Sequence, residues 1–513
     1  MKKRPNVLLL VVDCLRSDRV FDPRRTCKTP HIDALLARGS AFSHVFVENS
    51  VTAPSCTSIF TGLYAGNHGV VGMVGVKLGD GIPTMAEIFA ANGYHTYGEA
   101  TGPLSPLLGL DRGFAHYNFR SQHEYCFNEW GDALLGRFAR REFVEPYFLM
   151  VHFWEAHVPF QVQPGFAAPE FGAHPYDRAI SGLDDFIGKI LARINDDTLV
   201  ILTGDHGECI EEVPPSDSLL SYFLAKLRLP PLGKIRKRES IENAIDLMAQ
   251  EPKLHQFAAE VDRLSRSGRK KIGLAERFAL LLKLLRIGAR RYTIQVRCGL
   301  KEGFFPSLKQ KLNDHLLLTA VARGDSEAAQ LQLIRNSLSE HILHHGYHIY
   351  DYLQNVPLVM SLPGLFPSGR HIAAELRHID LLPTLIDALQ LEHPAGGFFD
   401  GTSFFPYVRA GGGADRPVYL EARGGAQAEK VFLIRGMRCR GKGIAFAPFE
   451  DDRAPVEFFG PAQAAAPVSA ADAQALMDEA NRMATSFNPG AGRELSAAEN
   501  AEMCERLKDL GYM

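Results

Sequence analysis

An aliphatic run, Thr198 to Leu202, ends in Thr203-Gly204-Asp205-His206-Gly207-Glu208. Adjacent Asp205 and His206 offer a hard oxygen and an imidazole nitrogen, ligands suited to Zn or Mn and, less comfortably, to Ca or Mg. A second aliphatic run, Val7 to Val12, ends in Asp13-Cys14. Ligands in open α/β sheets gather at the carboxyl ends of strands, so Asp13 stands where a metal-binding carboxylate would; the alternative is a helix N-cap. Thr52 precedes Pro54, a residue suited to the first turn of a helix. A hydroxyl there lies over free backbone N–H groups and a positive helix end, where an oxyanion or phosphate is stabilised, although Thr is also an ordinary cap. Tyr147 to Val151 runs into His152-Phe153-Trp154-Glu155-Ala156-His157, two histidines and a glutamate crowding one strand end. Such a group has the makings of acid–base chemistry.

The elements that must position these residues read as a doubly wound, mostly parallel α/β sheet. Strands without polar alternation, as at Val7 to Val12, belong in a sheet covered on both faces. Between them lie helices at Thr29 to Arg38, Pro83 to Asn92 and Tyr176 to Asn195, and strands at Ala41 to Val47 and Tyr94 to Ala100. The pattern resumes with a strand, Val356 to Leu362, and a helix opening at His378-Ile379-Asp380. At 513 residues, with 46% hydrophobic and 22% charged residues, the chain has an ordinary globular composition. A net charge of -3 gives no global field for nucleic acid. Eight scattered cysteines without a CxxC pair read as reduced thiols. The apolar run after Met1-Lys2-Lys3-Arg4 is short and interrupted by Asp13, fitting a strand better than a signal peptide. No segment reaches the roughly 18 apolar residues of a membrane span. A cytoplasmic location, with peripheral membrane contact as an option, is the expectation.

Three regions follow: a catalytic α/β domain from 1–209 and 340–424, an insertion at 210–339, and a small α+β subdomain at 425–513. The insertion is helical in composition and basic, with 21 Lys or Arg against 8 Asp or Glu between Lys226 and Lys311. Its leucine-dense stretch Ile272 to Ile287 wants a partner: the parent domain, a second subunit or an anionic lipid surface. The plain alternative is a solvated helical insertion. Because it enters just after Asp205-His206-Gly207, it is placed to act as a lid that sets specificity.

Taken together, these segments resemble the sulfatase branch of the alkaline phosphatase superfamily. The matching pieces, in the family's order, are Asn6 to Asp18, Thr29 to Asp33, Thr52 to Gly69, His152 to Phe160, Thr203 to Glu208, His345 to Gly364, Asp380 to Thr384 and Leu510-Gly511-Tyr512. The resemblance implies a metal site at the strand ends, with Asp13, Asp205 and His206 as ligands. Thr52 falls on the nucleophile position, where its oxygen would also touch the metal. His157 matches a histidine contacting the transferred group, and His345 falls near a position contacting it from the other side.

Two departures alter the chemistry. Cys14 stands where many sulfatases have a second Asp, so the metal shell is thinner or includes a thiolate. The Cys/Ser-x-Pro-x-Arg motif oxidised to formylglycine reads here Thr52-Ala53-Pro54-Ser55-Cys56, and Thr cannot give that aldehyde. Relatives with this pattern use Thr directly, as in nucleotide phosphodiesterases and enzymes moving phosphoethanolamine or phosphoglycerol groups. The expected activity is therefore metal-dependent hydrolysis of phosphodiesters or related phosphate and phosphonate esters, by Thr52 attack and a covalent intermediate. The substrate is an anionic ester, and the cofactor a divalent ion, Zn, Mn or Ca. Transfer to another alcohol, sulfate-ester hydrolysis, a Cys56 nucleophile and a catalytically silent binding protein are the alternatives. Glu155, His152, His344 and His348 are candidates for outer ligands or a second metal. Oligomeric state is left open.

Overall fold

The strand formed by the first aliphatic run, β1 (Asn6–Val12), is buried along all seven residues, and the rest of the sheet is arranged around it. In the computed structural model, which describes residues 3–121, 123–210, 345–346, 349–393, 398–423, 434–446, 456–457, 469–488 and 492–509, the following strands are β2 (Ser40–Phe46), β3 (Val76–Lys77), β4 (His95–Ala100), β5 (His116–Phe119), β6 (Tyr147–Phe153), β7 (Thr198–Gly204) and β8 (Asn355–Ser361). Then come β9 (Arg370–Ile372), β10 (Leu376–Arg377), β11 (Val418–Ala422), β12 (Ile434–Cys439), β13 (Lys442–Phe446), β14 (Val456–Glu457) and β15 (Arg493–Glu494).

The large sheet has the order β10-β2-β8-β7-β1-β6-β4-β5, with β9 also on β2. Pairing is parallel except where β8 meets β7 and β2. This is the expected doubly wound, mostly parallel sheet. β6 and β7, which flank β1 in parallel register, are likewise buried throughout. Burial on both faces is why these three strands carry aliphatic runs with no polar alternation. β1 and β7 end level with one another, Val12 opposite Gly204, so Asp13 and Asp205 emerge side by side.

Met1–Cys209 and His345–Tyr512 form one compact unit, and Ile210–His344 a second. Within the first, β11 to β14 make a four-stranded antiparallel sheet. Tyr419, Met437 and Ile444 of that sheet pack against Ala473 and Ala480 of the helix Ala470–Ser486. The basic insertion, including 226–311, lies outside the described residues, as do His344, His348 and Leu510 to Tyr512. Among the described residues no helix is long and apolar enough to cross a membrane.

Candidate active site and metal centre

The helix Thr52–Thr61 is buried at every residue. Its N-cap is Val51, in extended conformation and with no side-chain cap bond, and Gly62 closes it in the left-handed conformation at φ 68°. Thr52 is thus the first helical residue and not the cap, which removes the plain capping reading: its Oγ1 lies 3.1 Å from His206 Nε2. Asp13 is not a cap either, since the next helix, Asp18–Phe21, begins after Ser17.

Asp13, Thr52, Asp205 and His206 are all fully buried. His206 Nδ1 lies 2.8 Å from the Gly207 carbonyl, which can only accept, so Nδ1 carries the proton and Nε2 of the neutral ring presents a lone pair. That nitrogen faces Asp13 Oδ1 and Asp205 Oδ2, each at 3.6 Å. Two carboxylate oxygens and a lone pair converging in a dry site repel one another, and a divalent cation would relieve the repulsion. Burial pushes the Asp205 carboxyl up to about 7, against the lowering effect of the Cys14 and His206 N–H groups and the Thr52 hydroxyl. The donor set of carboxylate, carboxylate and imidazole therefore fits a divalent metal.

The backbone is shaped to hold this set. Asp205 Oδ1 accepts the N–H groups of Cys14 (3.1 Å) and His206 (2.8 Å), which aims Oδ2 at the site. Cys14 reaches its position with φ 65°, a left-handed conformation costly for a residue with a side chain, and its carbonyl accepts the Tyr176 hydroxyl at 2.6 Å. Gly207 donates to the Leu353 carbonyl at 2.8 Å. A Cβ on Gly207 would stand 1.8 Å from the Tyr352 carbonyl oxygen. Gly207→Ala is therefore expected to destabilise the fold by about 1–3 kcal/mol, read as a lower urea midpoint; an unchanged midpoint would show that this approach is not needed.

His157 and His345 reach the same pocket. Their rings lie 5.1 Å apart and the His345 ring 4.4 Å from that of His206. Cys14 Sγ is 3.9 Å from His345 Nδ1 and 3.8 Å from His206 Nδ1. Glu208, named in the sequence only as part of the Asp205 segment, proves to be a buried partner: its Oε1 is 3.2 Å from His345 Nδ1 and its Oε2 accepts from Cys14 Sγ at 3.4 Å. Its signal was a carboxylate two residues beyond the ligand His206. Burial, then Asp13, Glu208 and Asp205, push the Cys14 thiol up, which keeps it protonated in the absence of a cation.

Sequence reasoning also missed the support beneath His157. Arg120, wholly buried, reaches Glu155 Oε1 at 2.9 Å, the His152 carbonyl at 2.7 Å and the Glu124 carbonyl at 3.0 Å, and lies 3.8 Å from the Trp130 ring centroid. Glu155 also accepts the N–H groups of Cys126 and Trp154. Glu155 is thus spent on Arg120 and not on a metal. Arg120→Met leaves a buried carboxylate unpaired and should cost about 3–5 kcal/mol, checked by denaturant unfolding; a loss under about 1 kcal/mol would contradict a fully desolvated pair.

The profile of the sulfatase family matches residues 5–391. An uncharacterised sulfatase, YidJ, of Escherichia coli (strain K12) is 34% identical over 95 residues, 18% of this chain and 19% of that protein. Among solved structures, the phosphonate monoester hydrolase of Agrobacterium radiobacter superposes with a TM-score of 0.56 at 17% identity, over 96% of this chain and 97% of its own. A 2-O GAG sulfatase, BT1596, gives 0.54 at 14% identity, over 94% and 93%. At those identities the likeness is one of fold. With the profile covering most of its length, the chain belongs to the sulfatase family.

Proposed function

We propose that this protein is a metal-dependent hydrolase of phosphodiesters or related phosphate and phosphonate esters that uses Thr52 as nucleophile. The observation that carries this reading is Thr52 Oγ1, 3.1 Å from His206 Nε2 at the first position of a buried helix. It stands where a formylglycine-forming residue would be needed for the usual sulfatase route. Cys56 is a poorer nucleophile than the sequence allowed: it lies one turn further into the helix, fully buried, beside Asp205.

A divalent cation held by Asp13, Asp205 and His206 would make the Thr52 hydroxyl acidic enough to lose its proton to solvent and would neutralise charge on the phosphoryl oxygens. Thr52 Oγ1 attacks phosphorus in line, assisted by the N-terminal end of its helix. The bond from phosphorus to the leaving oxygen breaks as His345 delivers a proton to that oxygen. Glu208 Oε1, 3.2 Å from Nδ1, holds the His345 ring in place. His157, whose Nδ1–H is taken up by the Val158 carbonyl at 2.6 Å, donates to the charged phosphoryl oxygens from Nε2 as the doubly protonated ring. The same His345 ring then takes a proton from water as that water attacks phosphorus; the bond from phosphorus to Thr52 Oγ1 breaks, and the released alkoxide regains from solvent the proton it first gave up. An alcohol in place of water would make the site a transferase.

Sulfate-ester hydrolysis is the second reading, favoured by the family itself. Metal-supplemented turnover of bis(p-nitrophenyl) phosphate, p-nitrophenyl phosphate and p-nitrophenyl sulfate separates the two. Preference for the diester supports the proposal, and preference for the sulfate overturns it.

A further inference from the structure

Below the ligands already described lies a second set of donors that the proposed reaction does not use. Cys56 sits four residues after Thr52, one turn along the same helix face. His152 on β6 pairs with Val11, and Val11 with Thr203. Asp13 and Asp205 each lie two residues beyond that row, so His152 is on their face of the sheet, one step back from the strand ends. Cys56 Sγ, a His152 ring nitrogen and an Asp205 carboxylate oxygen all lie within 4.8 Å of one another. All three residues are fully buried.

The independent observation is His152. Neither ring nitrogen has a hydrogen-bond partner among the described residues, although a buried imidazole ordinarily makes at least one such bond. Burial, then Arg120 and His206, push the ring down to about 3, so it is neutral and always has a lone pair to give. Cys56 Sγ approaches Asp205 Oδ2 only at 4.0 Å, long for a thiol donor. These contacts are loose as hydrogen bonds, but the donor types match a borderline-soft ion.

We propose that Cys56, His152 and Asp205 hold a second divalent cation of the zinc type, with Asp205 shared between this buried site and the one beneath Thr52. Binding breaks the Cys56 S–H bond as sulfur bonds the metal, and the proton passes to solvent. Three protein donors leave one position of a tetrahedron open. Bond lengths of about 2.0–2.3 Å require the donors to draw together by up to about 1 Å, a movement within reach of side-chain rotation. The inference concerns metal content and stands apart from the choice of phosphate or sulfate substrate.

The test is metal binding by the full chain, stripped with chelator and titrated with Co²⁺ or Zn²⁺ alone. The wild type should take up two equivalents and, with Co²⁺, show a thiolate-to-metal charge-transfer band. Cys56→Ser should lose the band and one equivalent, and His152→Phe one equivalent. Asp13→Asn should lose the other equivalent and keep the band. Cys14→Ser, the control for the other nearby thiol, should keep it too. One equivalent without a band in the wild type overturns the proposal, as does a band that survives Cys56→Ser and disappears in Cys14→Ser. Should Cys56→Ser fail to fold, zinc-loaded Cys14→Ser decides by X-ray absorption. A sulfur neighbour at about 2.3 Å supports the site, and its absence overturns it.

Discussion

Thr52→Ala is expected to lower kcat/KM for a diester substrate by about 10⁴-fold or more, with the fold intact. Loss of a nucleophile that works as one unit with its activating groups costs about that much in other hydrolases. The substitution removes a hydroxyl and a methyl from a wholly buried site, so a loss of about 1–3 kcal/mol in stability is the range for such a change. Activity and unfolding therefore separate cleanly. Thr52→Ser keeps an oxygen at the helix start and should retain a measurable fraction of turnover. Peptide mapping of enzyme quenched during turnover should find a phosphoryl group on Thr52. Turnover by Thr52→Ala within tenfold of wild type would end the nucleophile assignment.

Metal removal is the second large effect. Stripping the protein with a chelator should lower kcat/KM by about 10³-fold or more, because Lewis-acid stabilisation is worth several kcal/mol and each 1.36 kcal/mol is a factor of ten. Zn²⁺ or Mn²⁺ should restore the wild type. Asp13→Asn removes a charged ligand while keeping shape, and should remain inactive at metal concentrations that restore the wild type. Circular dichroism would show whether the variant is folded. Full activity in the chelated protein would exclude the metal role given to Asp13, Asp205 and His206.

Much of this was legible in the chain because the signals were local. Val7 to Val12 and Thr198 to Leu202 announce strands covered on both faces, and a carboxylate straight after such a strand can only sit at the sheet's edge. The helix of Thr52 was legible from Pro54. Its first residue was not, since one position separates a cap from the first helical residue, and only the extended backbone at Val51 decides. Glu208 and Arg120 were passed over because their meaning depends on residues far along the chain, His345 for one and Glu155 for the other. The left-handed turn at Cys14 has no sequence signal, as Gly or Asn would be usual there. His152 and Cys56 meet only because a strand and a helix distant in sequence pack face to face.

The reversed direction of β8 bears on how much sequence the sheet can carry between two of its strands. β7 runs up to the site and β8 runs down from it, Thr203 opposite Leu358, and Gly207 is tied to Leu353 where the two meet. In topological terms the pair is a hairpin whose connecting segment is Ile210–His344. Loop-closure entropy grows only with the logarithm of length, about 0.6 kcal/mol per doubling. Even a chain of that length with no structure of its own adds under about 4 kcal/mol relative to a two-residue turn. Lengthening, shortening or replacing the segment therefore leaves the sheet's free energy nearly untouched, while both its ends, next to His206 and His345, stay at the reacting groups. A fold wired in this way can exchange the whole inserted segment without redesigning the sheet it interrupts.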